Sequence, residues 1–185
     1  MKDADSMGYD HWCSPPDLIK ALGAIDTDPC WNPGSFVEAS VTYSGSLTCV
    51  NERDTHSQHT GICPACAKFG NGQNGLVELW YGRTFVNCGY SYPEPWAQRW
   101  CHHARQGIPG AWLCETQFGT NWASLILKAA QCVYIFDARL KFWDPVNQRF
   151  GRSPRSGHML ALSNWEVADI EFFESCATKL LVVGG

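Results

Sequence analysis

Apolar residues along this chain come in short runs broken by polar stretches rich in glycine and proline, a spacing that predicts alternating strands and helices rather than a helical bundle. Thr84-Phe85-Val86 is an apolar, partly β-branched run that stops abruptly at Asn87-Cys88-Gly89-Tyr90, so it predicts a buried strand ending in a polar loop. Ala111-Trp112-Leu113-Cys114 and Cys132–Phe136 predict two more buried strands. A helix opened by Pro93-Glu94-Pro95 lies between the first two, with Trp96, Trp100 and His103 on one face and Gly107 closing it. Another, capped by Thr120 or Asn121 and carrying Trp122, Leu125, Ile126 and Ala129, lies between the last two. This alternation over residues 83–136 predicts a parallel sheet with right-handed crossovers.

Upstream, Ser14 can cap a short helix whose first positions accept Pro15 and Pro16, with Leu18, Ile19 and Leu22 as its apolar face and Gly23 as its end. Ala24–Thr27 then predicts a short strand that delivers Asp28 into an irregular loop, because Asp-Pro breaks the extended run. Downstream, Arg139–Phe142, Met159–Leu162, Ile170–Phe173 and Leu180–Val183 predict strands that complete the sheet, some of them antiparallel. Residues 45 to 74 interrupt the pattern with Ser, Thr, Asn and Gly.

Composition narrows the class. A chain of 185 residues that is 45% hydrophobic and 17% charged suits one globular domain over residues 1–185 rather than a disordered segment. No apolar run approaches membrane-spanning length, and Met1–Asp5 is too polar and acidic for an export signal, so a soluble protein of the cytoplasm is expected, with no membrane partner. The net charge of −4 argues against polyanion binding by the whole surface. It leaves room for a local basic patch: Arg139, Lys141, Arg149, Arg152 and Arg155 share seventeen residues with a single acid, Asp144. Such a run is either a solvated loop or a surface that reaches a phosphate backbone.

Ten cysteines without an export signal suggest thiols or metal ligands rather than disulfides. Cys13, Cys30, Cys101, Cys114, Cys132 and Cys176 sit in patterned segments and read as small buried apolar residues. Cys49, His56, His59, Cys63 and Cys66 crowd the irregular stretch, and Cys63-Pro-Ala-Cys66 can present two thiolates to one metal ion from a single turn. A structural zinc completed by Cys49 and one of the two histidines is the expectation; a redox pair lacks its thioredoxin-like context, and idle thiols are the remaining reading.

Ligands of open α/β sheets gather at the carboxyl ends of strands, which singles out Asp28 and the loop Asn87-Cys88-Gly89-Tyr90. Ordinary turns are the competing reading for both. His102 and His103 have no acid or nucleophile spaced to orient them, so packing or solvent is expected for both.

Taken in order, Trp12-Cys13-Ser14-Pro15-Pro16-Asp17-Leu18, Thr27-Asp28-Pro29-Cys30, Asn74-Gly75-Leu76 with Trp80 and Gly82, Phe85-Val86-Asn87-x-x-Tyr90-Ser91 with Trp96, and Arg139-Leu140-Lys141-Phe142 resemble the phage-encoded adenine-N6 DNA methyltransferases of the Dam type. The likeness covers most of the chain outside residues 45–72, which read as a small zinc-binding insertion. It implies a Rossmann-like methyltransferase fold, mostly parallel with antiparallel C-terminal strands, S-adenosylmethionine as cofactor and DNA as partner. It implies that Ser14, Pro15 and Asp28 border the cofactor, and that Asn87, Cys88 and Tyr90 hold the target amino group. Cys88 and Gly89 stand where the family carries two prolines, Asn74 where it usually has aspartate, and the loop after Asp28 has only Gly34 in place of a glycine-rich motif. Two further readings stand beside this one: a module of the same fold that binds nucleic acid or protein without catalysis, and attack on a base by the Cys88 thiol with Arg83 as its nearest cation in sequence.

Overall fold

The computed structural model describes residues 12–32, 34–43, 75–89, 93–151 and 156–181. The principal sheet contains β1 (Thr27–Asp28), β2 (Val41–Thr42), β3 (Thr84–Val86), β4 (Gly110–Glu115), β5 (Cys132–Phe136), β8 (His158–Ser163) and β9 (Ala177–Leu181), in the spatial order β2-β1-β3-β4-β8-β5-β9. β2, β1, β3 and β4 are paired in parallel. β8 runs against both β4 and β5, and β9 runs against β5. Five of the seven strands therefore point one way, and the two reversed strands come from the C-terminal third. The expected parallel run thus stops at β4: β5 keeps the same direction but sits beyond β8.

Helices α1 (Pro16–Leu22), α2 (Glu94–Arg105), α3 (Asn121–Ala129) and α4 (Ile170–Cys176) cover both faces. The strand pleat shows which helix goes where. Phe85, Ala111, Leu113, Tyr134, Phe136, Leu160 and Leu162 point to one side, where Leu18, Ile19 and Leu22 of α1 and Phe173 of α4 pack on them. Their neighbours Val86, Trp112, Cys114, Val133, Met159 and Ala161 point to the other, against Trp96, Trp100 and Ala104 of α2 and Ile126 of α3. Side chains of the central strands are buried on both faces, as a sheet sandwiched between helices requires.

Several local expectations change. Pro15, not Ser14, stands at the N-cap of α1 and no side chain caps that helix. Gly23 ends it with φ of 85°, a left-handed conformation in which a β-carbon would also lie 2.9 Å from that of Ala168. Ile170–Phe173 is helical because the Asp169 side chain accepts from the Phe172 N–H at 3.0 Å, and Phe172, Phe173 and Cys176 then form one inward stripe. Arg139–Phe142 forms no strand among the described residues, although Phe142 O accepts from the Gly151 N–H at 2.8 Å; ladder pairing begins one residue later, in a two-stranded ribbon of β6 (Trp143–Asp144) and β7 (Arg149–Phe150). Among the described residues, no helix is long and apolar enough to cross a membrane.

Candidate functional site

After β1 the chain moves outward to β2 and then returns to the other flank of β1 as β3. The carboxyl ends of β1 and β3 therefore face each other where the winding reverses, the usual place for a ligand in an open α/β sheet. Thr27 is level with Thr84, so Asp28-Pro29-Cys30 and Asn87-Cys88 leave the sheet side by side. The Asn87 backbone N–H points at the Cys30 sulfur.

Asp28 is 4% exposed, and its Oδ1 accepts from the Cys30 N–H at 2.9 Å. Burial lifts its carboxyl from the ordinary 3.8 to about 7, and that single backbone hydrogen bond is what opposes the rise. Among the described residues, no basic side chain offsets it. Asn87 is half-buried, and its Nδ2 donates to Ser14 Oγ at 2.9 Å across 73 residues of sequence. Ser14 is 4% exposed. Its place is set by its neighbour, since Cys13 and Trp143 exchange two backbone hydrogen bonds of 2.8 and 2.9 Å. Pro15 follows, half-buried at the N-cap of α1.

Cys88 turns inward onto the tryptophan-rich face and lines a shallow cleft with Pro93, Trp112, Cys114, Glu115 and Trp122. Gln117 also borders it, donating from Nε2 to Glu115 Oε2 at 2.5 Å. Burial pushes the Cys30 and Cys114 thiols well above their ordinary range and Cys13 up to about 12, so these sulfurs stay protonated at neutral pH. Arg83 offers Cys88 no help. It lies at the opposite end of β3, where its guanidinium donates to Leu22 O, Ala24 O and Glu166 O and sits 4.0 Å from the centre of the Trp165 ring.

The Gly75–Gly82 segment forms one wall of the β1 end. A β-carbon on Gly75 would fall 2.0 Å from the Pro29 carbonyl oxygen, so only glycine permits this approach. Trp80 donates to Gly75 O at 2.6 Å and stacks on Trp96 and on His103, with ring centres 6.3 and 4.8 Å apart. Arg99 of α2 lies over the Trp80 ring and donates to Leu76 O and Glu78 O. His103 is therefore a packing residue, as expected; burial first, then Arg99 and His102, hold its imidazole down at about 4. His102 is exposed. Nothing in the sequence marked Arg99 as the clamp on this wall, although Trp80 and Gly75 belong to a fragment of the resemblance.

Arg139, Lys141 and Arg149 are exposed on or beside the β6–β7 ribbon. Asp144, the one acid within that stretch of sequence, is withdrawn: it is 5% exposed, its Oδ1 accepts from the Val146 and Asn147 N–H groups and its Oδ2 from Asn147 Nδ2. Trp143 packs edge-on against Phe36 and Phe150, so exposed rings lie among the cations. Tyr90, Arg152, Arg155 and the proposed zinc ligands Cys49, His56, His59, Cys63 and Cys66 lie outside the described residues. Among the described residues, no group of three or more His, Cys, Asp or Glu could hold a metal ion.

No family model, curated protein or solved structure matches the chain.

Proposed function

We propose that this chain is an S-adenosylmethionine-dependent DNA methyltransferase acting on an exocyclic amino group, adenine N6 in the first instance. The observation that carries the reading is the meeting of Ser14, Asp28 and Asn87 at the reversal of the sheet, with the Asn87 nitrogen spent on Ser14 and its oxygen left over. Among the described residues, Asn87 Oδ1 accepts no hydrogen bond.

Asn87 Oδ1 and the Cys88 carbonyl oxygen are two acceptors on consecutive residues, suited to the two N–H groups of an amino substituent. Accepting both draws the nitrogen out of conjugation with its ring and makes its lone pair available. The family's prolines stiffen this loop; here the Ser14 bond fixes Asn87 and burial fixes Cys88, which offsets the freedom of Gly89. Tyr90 is the residue to stack on an extruded base.

The cofactor fits the acid beside it. A carboxyl raised to about 7 by burial, with no cation near it among the described residues, favours a positively charged ligand, and Ser14, Pro15 and Asp28 would hold one. When bound, S-adenosylmethionine supplies an electrophilic methyl group on a cationic sulfur. Arg139, Lys141 and Arg149, whose acidic neighbour is turned inward, suit the phosphate backbone, and zinc belongs with Cys49, Cys63, Cys66 and one of His56 and His59.

The test is transfer of radiolabelled methyl from S-adenosylmethionine to DNA, followed by digestion and nucleoside mass spectrometry. N6-methyladenine is the expected product. Folded, zinc-loaded protein that neither binds the cofactor nor labels DNA ends the proposal and leaves a binding module of the same fold.

A further inference from the structure

The β6–β7 ribbon carries aromatic rings as well as cations, and a phosphate backbone would use only the cations. Trp143 and Phe150 face each other across the ladder, with ring centres 5.3 Å apart at 75°. Phe36, from the loop between β1 and β2, also meets Trp143, at 5.8 Å and 64°. Trp143 is half-buried, yet Phe36 and Phe150 remain 38% and 49% exposed. Two phenylalanines held against one indole thus keep much of their rings in water.

The backbone beneath these rings is tied down. Cys13 and Trp143 exchange two backbone hydrogen bonds, and the Gly151 N–H donates to Phe142 O. A β-carbon on Gly151 would run into the Trp12 ring, so only glycine lets the end of β7 lie against it. Asp144 closes the turn by accepting from the Val146 and Asn147 N–H groups. Rings that are ordered beforehand lose little freedom when a ligand arrives.

Charge identifies the ligand class. The exposed charges of residues 139–151 are all basic, and Lys141 and Arg149 lie within two residues of Trp143 and Phe150. Glu38, the acid nearest to Phe36 in sequence, is exposed, so attraction for phosphate comes from the ribbon rather than from that loop. Duplex DNA offers phosphates to the cations but hides its base faces, whereas a single strand offers both. We propose that the Phe36, Trp143 and Phe150 cluster is a stacking platform for unpaired bases of a DNA strand whose phosphates lie on Lys141 and Arg149. This rests on the DNA-directed reading above but not on methyl transfer.

Oligothymidylate is the probe, because it forms no duplex with itself and lacks the adenine amino group that Asn87 would meet. In fluorescence anisotropy with the full-length protein, Phe150→Leu keeps an exposed apolar side chain without the π face and should weaken binding about tenfold, with a smaller loss in Phe36→Leu. Phe150→Trp should restore native affinity. The slope of log affinity against log salt should stay the same in all three, since no charge is altered. A duplex of equal length should bind native protein and Phe150→Leu within about twofold of each other, because its bases are already stacked. Native protein irradiated with oligothymidylate carrying 5-iodouracil should cross-link at Phe36, Trp143 or Phe150. Native affinity in both leucine variants, an equal loss on duplex, or cross-links confined to other residues would overturn the platform. Methyl transfer is scored apart from these results. Protein that binds and cross-links in this way but labels no adenine keeps the platform and loses the methyltransferase reading; protein that labels adenine while both leucine variants bind like the native chain does the reverse.

Discussion

The two ends of β3 are built on opposite principles. At the amino end Arg83 spends its guanidinium on three carbonyl oxygens, its backbone N–H meets Asp26 Oδ2 at 2.7 Å, and Trp165 covers it while donating to Leu22 O. At the carboxyl end, four residues away, Asp28 is buried with no cation beside it among the described residues, and among these Asn87 keeps an acceptor in reserve. A satisfied polar network contributes stability; unmet polar demand in a buried setting costs stability and marks a place prepared for something else. The difference teaches that polar content alone does not locate function in this sheet. What sets Asp28 and Asn87 apart is their place at the reversal of the sheet, since buried polar atoms without a partner among the described residues, such as Trp100 Nε1 and Trp112 Nε1, lie on the tryptophan-rich face instead.

The sharpest way to break this comparison is to truncate each end. Asn87→Ala removes the reserved acceptor and should lower kcat about a hundredfold or more, the usual scale for a hydrogen-bonding group that acts on the reacting atoms, while thermal unfolding shifts little. Arg83→Met keeps much of the side-chain volume but leaves three carbonyls without their donor, which should cost about 2–3 kcal/mol and lower Tm by several degrees. At temperatures where that variant is folded, turnover per folded molecule should match the native protein. A methyl-transfer defect in folded Arg83→Met, or a large Tm drop in Asn87→Ala, would show that the two ends are not separable.

How much of this was legible in the residues follows from what each feature depends on. β3, β4, β5 and β8 are uninterrupted apolar runs, and α2 and α3 carry proline or threonine starts with one-sided tryptophans, so local pattern suffices. β2 is two half-buried residues whose extended state is imposed by pairing with β1, so local pattern is silent. Phe172-Phe173 suits a strand or a helix equally, and the Asp169 cap decides. Asp28 and Asn87 were readable as strand-end polar residues. Their pairing with Ser14, and the Arg99 clamp on Trp80, join positions far apart in the chain and leave no periodic trace. Arg83 illustrates the risk of sequence proximity: five residues from Cys88, it lies at the other end of the strand.

Asp28 offers a subtler test, because its two roles have opposite signs. Its folded pKa of about 7 stands above the ordinary 3.8, so burial favours the neutral acid. The stability it contributes is complete below the lower value and is lost as pH rises through the higher one. Asp28→Asn does not titrate. Without ligand, its Tm relative to the native protein should therefore climb between about pH 4 and 7 and level off above, and a flat difference across that window would refute the shifted carboxyl. Cofactor binding should do the reverse: native affinity should rise with pH toward 7 as the acid ionises opposite a cation, and Asp28→Asn should lose that rise. More stable yet weaker-binding protein above pH 7 is the signature of a group retained for a ligand.

The smallest effect belongs to the ribbon, which sits between the two extremes. Lys141 and Arg149 are exposed, so replacing both with alanine should move stability by no more than about 0.5 kcal/mol. If each neutralises one DNA phosphate, the double variant should bind duplex DNA with a log affinity against log salt slope shallower by about 1.8, with methyl-transfer kcat at saturating DNA retained. An unchanged slope would make the cluster a solvated loop. A fall in kcat at saturating DNA would carry a different message: the contact between Trp143 and Cys13 would be transmitting the state of the ribbon to Ser14, and through it to Asn87, so that the surface which meets the backbone also sets the amide that meets the base.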